Sequence, residues 1–193
     1  MYFRSWEILE RLSRDYKQPD IKLKQMVKKG ELVKVVRGLY EDDRNASPHL
    51  LAGAIYGPSY ISFEYALSRY GLIPERVETV TSATFRKGKN KLYDTPFGMF
   101  SYSDIPALAY PHEVTLEEEN GRVFQVALPE KALCDTLYKE RPVGSVKALR
   151  ALMFEDLRID ADLFSQLDKD KLFSLAALYS KKNLQLLVRM REP

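Results

Sequence analysis

Five residues between positions 22 and 29 have the types and spacing to hold a nucleic acid: Lys22, Lys24, Gln25, Lys28 and Lys29. On a helix turning by about 100° per residue, Leu23, Met26, Val27 and Gly30 fall within one third of the circumference. Lys24, Gln25, Lys28 and Lys29 take the opposite half, with Ile21 and Lys22 near the helix start. Lysines placed this way neutralise backbone phosphates, and an amide such as Gln25 can read a base edge through two hydrogen bonds. Lys34 and Arg37 follow in a predicted hairpin, where a wing would reach the adjacent groove or backbone. A solvated, lysine-rich helix face without a partner is the competing explanation.

Three other groups have residue types that could carry chemistry. Arg86, Lys87, Lys89 and Lys91 surround Gly88 and form a possible second basic patch, or a hairpin tip kept soluble by charge. Cys134, within Pro129-Glu130-Lys131-Ala132-Leu133-Cys134-Asp135, reads as a buried small hydrophobe, because neither His49 nor His112 is near it in sequence. Gly144-Ser145 followed by Asp160-Ala161-Asp162 has the residue types of a nucleotidyltransferase metal site. No convincing strand precedes Gly144, however, and Asp160 reads as the N-cap of the next helix. No catalytic residue, metal or cofactor is therefore expected.

These residues need elements to position them. Apolar spacing predicts helices over residues 5–14, capped by Ser5, and 20–29, ended by Gly30. A β-branched run at 32–36, a turn at Arg37-Gly38 and a return at Leu39-Tyr40 complete a helix–helix–hairpin outline. Charge divides at the same place: residues 1–40 carry ten Lys/Arg against five Asp/Glu, and residues 41–193 carry twenty against twenty-two. The polar segment 41–47 reads as a linker, giving a basic module over 1–44 and a neutral body over 45–193 that folds alone. The body reads as helices at 48–56 and 62–70, then strands at 77–83 and 97–102 joined by a basic loop. A hairpin over 113–128 turns at Asn120-Gly121, and helices follow to the C-terminus. The expected class is α+β, with an antiparallel-biased sheet and a helical C-terminal part. No apolar run approaches the roughly 18 residues of a membrane span, and one cysteine excludes an internal disulfide framework. A cytoplasmic protein without membrane contact is expected.

Three segments, taken in order, carry a family resemblance. KKGELVKVVRGLY (residues 28–40), YISFEYALSRYGLIPE (60–75) and VALPEKALCDTLY (126–138) resemble the AbiEi-type antitoxins of bacterial type IV toxin–antitoxin and abortive-infection systems. The resemblance implies a winged helix-turn-helix that binds inverted repeats in its own promoter and represses its operon. It also implies an antitoxin domain that counters a nucleotidyltransferase-like toxin. Such modules usually carry three helices before the wing, and two are readable here. The rival readings are a protein-interaction module without DNA binding and, third, a metal-dependent nucleotidyltransferase using Asp160 and Asp162.

Overall fold

In the computed structural model, which describes residues 1–190, the first forty-one residues form a three-stranded antiparallel sheet with two helices. Its strands are β1 (Tyr2–Arg4), β2 (Val33–Val36) and β3 (Leu39–Glu41), in the order β1-β3-β2. Helix α1 (Ser5–Ser13) follows β1 directly. Ser5 is not its cap: Arg4 holds that position, and the Glu7 carboxylate accepts the Arg4 N–H. The Ser5 N–H instead donates to the Gly38 carbonyl at 3.0 Å, fastening the β2–β3 turn to the helix. Helix α2 (Pro19–Lys29) opens on Pro19, whose missing N–H has no partner in a first turn anyway. It ends at Gly30, with φ +75°. That backbone conformation strains any side chain and favours glycine, and a Cβ there would also push aside the Arg44 guanidinium that lies over it.

Ile8, Leu23 and Leu32 form a small core between these helices and the sheet. Val35 and Leu39 leave that cluster and join the main core of the body. The segment after β3 is anchored at both ends. Glu41 is fully buried, and its Oε1 accepts the backbone N–H groups of Asp42 and Asp43 at 3.1 and 3.2 Å. The other oxygen lies 3.6 Å from Arg122 Nη1, and Ala46 is buried. Arg4 also donates to the Ala54 carbonyl at 2.8 Å. Polar composition suggests a solvated linker, and residues 42–45 are indeed exposed, but Glu41 and Ala46 on either side of them are buried and Val35 and Leu39 join the body's core.

The body is a six-stranded mixed sheet with helices. It begins with α3 (Pro48–Ile55), β4 (Tyr60–Ile61), α4 (Phe63–Arg69) and β5 (Val80–Thr84). Next come β6 (Lys91–Thr95), β7 (Gly98–Asp104), β8 (Val114–Glu119) and β9 (Arg122–Ala127). The strand order is β6-β7-β5-β4-β9-β8. The β5–β7 and β4–β9 pairs are parallel, and the other three pairs are antiparallel. Much of the expected basic loop is thus strand β6, in which Tyr93 and Thr95 turn inward between exposed neighbours. Helix α5 (Pro129–Lys139) follows β9 and packs mainly against other helices, α4 among them. The remaining helices are α6 (Val146–Ala151), extended by a π turn over Leu152–Asp156, then α7 (Ala161–Gln166), α8 (Lys169–Ala176) and α9 (Lys182–Arg189). The whole is an α+β fold. Among the described residues, no helix is long and apolar enough to cross a membrane.

Candidate nucleic-acid interface

Helix α2 buries Leu23 and half-buries Met26 and Val27, which leaves Lys24, Gln25, Lys28 and Lys29 exposed. Lys24 faces the β2–β3 hairpin, where Lys34 and Arg37 join it around an open depression of about 480 Å³. Ser5, Tyr40 and the carboxylate-bearing Asp20 also line this depression. Among the described residues, Lys24, Lys28, Lys34 and Arg37 make no ion pair, and Asp20 is the one carboxylate among the residues lining the depression. Lys22 is half-buried, with its ammonium 4.9 Å above the Tyr16 ring. Lys29 stands 4.0 Å from Glu31. Gly38, with φ +81°, lets the hairpin turn sharply enough to present Arg37 at its tip.

One residue missing from the sequence reading belongs beside this face. Arg44 lies over Gly30 at the C-terminal end of α2, and with Lys34 it lines a second depression closed by Pro96 and Phe97. A guanidinium there also complements the negative end of the helix dipole. Its position inside a polar run hid it; only the fold brings it to α2.

The second basic cluster does not join this surface. The Lys87 and Gly88 N–H groups donate to Asp104 Oδ2 at 2.6 and 2.8 Å, and Lys87 Nζ donates to the Gly57 carbonyl at 3.0 Å. Lys87 therefore serves the loop's own structure. Arg86 and Lys89 are exposed, while Lys91 is half-buried at the start of β6. The opposite end of β6 leads into the turn beside Lys34, which puts this cluster about 13 Å away along the strand.

The residues weighed for catalysis are occupied structurally. Asp160 Oδ1 accepts the Leu163 N–H at 2.8 Å, and Ser145 Oγ accepts the Ala148 N–H at 3.1 Å. Both are helix caps. Cys134 is buried, which pushes its thiol well above the usual range and away from nucleophilic use. Among the described residues, no group of three or more His, Cys, Asp or Glu side chains is placed to hold a metal ion.

Two polar clusters were not foreseen. In the first, His49 Nδ1 donates to Glu119 Oε2 at 2.9 Å, Ser47 Oγ donates to the same oxygen at 2.7 Å, and His49 Nε2 meets the Tyr65 hydroxyl at 2.7 Å. This carboxylate–imidazole–hydroxyl order matches a proton relay, but burial raises the Tyr65 hydroxyl pKa, the reverse of an activated nucleophile. The cluster instead ties α3, α4 and the tip of the β8–β9 hairpin together. Burial pushes the Glu119 carboxyl upward, yet the hydrogen bonds from His49 and Ser47 outweigh it and leave the pKa below its ordinary value. A depressed carboxylate stabilises the fold above its unfolded pKa, and that stability is lost as pH falls through the folded value. Glu119→Gln should therefore flatten the acid limb of a plot of thermal midpoint against pH below about pH 4.5. An unchanged acid limb would mean that these bonds are broken in solution.

The second cluster lies inside the body. Asp135 and Lys131 are both fully buried one turn apart on α5, with Lys131 Nζ 3.2 Å from Asp135 Oδ1. Tyr179 donates to the same Oδ1, while Tyr60 and Ser62 donate to Oδ2 at 2.9 and 2.7 Å. Lys131 also donates to the Ala109 carbonyl at 2.7 Å. Segments 60–75 and 126–138, far apart in the chain, meet at this network. Comparison with known proteins finds no family model that matches the chain and no curated protein similar to it.

Proposed function

We propose that this chain is an AbiEi-type antitoxin, a non-enzymatic cytoplasmic protein. In this reading its N-terminal segment is a winged helix-turn-helix that binds inverted repeats of double-stranded promoter DNA and represses its own operon. Helix α2 enters the major groove, and the β2–β3 hairpin is the wing. The observation that carries the reading is the meeting of Lys24, Lys34 and Arg37, all free of ion pairs, around one open depression between helix and hairpin. Cations on two elements that face one groove suit a phosphate backbone followed over several ångströms. The body then counters a nucleotidyltransferase-like toxin. Leu116 and Val123, exposed on the same face of the β8–β9 hairpin, offer an apolar surface for direct contact with that toxin.

A salt-dependent mobility shift on the DNA upstream of the reading frame tests the first half. The Lys24→Ala/Lys28→Ala variant should bind all duplexes more weakly and flatten the slope of log affinity against log salt by about two. Arg37→Ala should weaken binding while changing stability by less than about 0.5 kcal/mol, because Arg37 is exposed and unpaired. Wild-type affinity and slope in both variants would remove helix and hairpin from any DNA interface. Co-expression with the toxin tests the second half: Leu116→Lys/Val123→Lys should abolish protection if contact is direct.

A further inference from the structure

Helix α2 carries one exposed apolar side chain, Ile21, which is 49% accessible. Angular position makes it unusual. The buried stripe runs through Leu23, Met26 and Val27, and Ile21 lies almost opposite its centre. Lys24, Gln25 and Lys28 fall within about 60° of it on the helix circumference, so a large β-branched hydrocarbon sits in the middle of the basic face. Core packing does not explain it, because Ile21 belongs to neither hydrophobic cluster and is not among the side chains packed against one. Helix propensity does not either, since isoleucine is a poorer helix former than the lysines around it.

We infer that Ile21 is a specificity-determining residue that covers the C5-methyl group of a thymine in the major groove. The inference rests on the DNA-binding reading above. Ile21 is the third residue of α2, and the N-terminal turn of a recognition helix is the part that meets base edges. The thymine methyl is the apolar feature of the major groove, and it is matched by an apolar side chain rather than by a hydrogen-bonding one. Lys24 and Lys28 flank Ile21 and reach outward toward phosphates, while Gln25 lies beside it for a neighbouring base edge. Contact with the methyl removes both apolar surfaces from water, and the lysine heads stay hydrated.

The test uses the full chain and a duplex selected by it from a random library. That duplex is amplified with thymidine or with deoxyuridine triphosphate, which deletes the methyl groups and nothing else. The wild type should bind the thymine duplex about fourfold more tightly for each methyl covered. Ile21→Ala keeps the same circular dichroism and thermal midpoint, and its preference between the two duplexes should fall to near one. Changes in duplex stiffness act equally on both proteins and cancel in the ratio of ratios. Equal preference in wild type and Ile21→Ala overturns the role of Ile21 and leaves DNA binding standing. Failure of the wild type to enrich any duplex overturns both.

Discussion

Asp135→Leu destabilises the protein by about 3–5 kcal/mol, and adding Lys131→Met to it restores part of the loss. Asp135 accepts from Tyr60, Ser62, Tyr179 and Lys131, all around one fully buried carboxylate. Removing it leaves the buried Lys131 ammonium without a counter-charge, although it still donates to the Ala109 carbonyl, and leaves three buried hydroxyls without their acceptor, each at a desolvation cost. Burial already pulls the Lys131 pKa below its ordinary value, and Asp135 pulls it back. Once the carboxylate is gone, the downward pull of burial dominates. Replacing both charges with apolar groups of similar volume removes the uncompensated ammonium, while the three hydroxyls and the Ala109 carbonyl stay unpaired, so the double variant recovers only in part. Urea unfolding of the two variants measures the difference. A single variant within about 1 kcal/mol of wild type would show that water enters this site, because an exposed ion pair contributes no more than that.

The same network shows what a linear reading can and cannot find. Pro19 and Gly30 bracket α2 because their backbone restrictions act locally, so they are legible without a fold. The turn at Asn120-Gly121 is legible for the same reason: both residues have positive φ. Strand β1 has three residues and β4 two, too few for an alternation to show. Strand β6 was obscured by the lysines before it, although Tyr93 and Thr95 do alternate inward. Lysine and aspartate are mostly exposed residue types, so residue type alone gives no reason to bury Lys131 and Asp135. A signal was present, since a Lys–Asp pair four residues apart is embedded among Ala132, Leu133, Cys134 and Leu137. Its partners Tyr60, Ser62 and Tyr179 arrive only through the parallel β4–β9 pairing and the C-terminal helices. The basic face of α2 was legible as a pattern, whereas its approach to Lys34, Arg37 and Arg44 depended on tertiary packing.

Cutting the chain at residue 44 should cost the remaining body about 3–6 kcal/mol, because Val35 and Leu39 leave its core. Both side chains are buried against the body, Leu39 completely. Typical domains have only about 5–15 kcal/mol in reserve, so fragment 45–193 should unfold at a much lower urea concentration than the whole chain, or precipitate. The cut also removes Glu41 from beside Arg122, and Arg4 from the Ala54 carbonyl. Leu39→Ala in the full chain isolates the packing part and should cost about 2–5 kcal/mol by leaving a cavity. A fragment with the full-length midpoint would show that the composition boundary is also a mechanical one. If the fragment is weakened as expected, loss of toxin protection on truncation says nothing about which segment does the protecting. Separating the two proposed activities then requires exposed substitutions such as Lys24→Ala and Arg37→Ala, which leave the shared core intact.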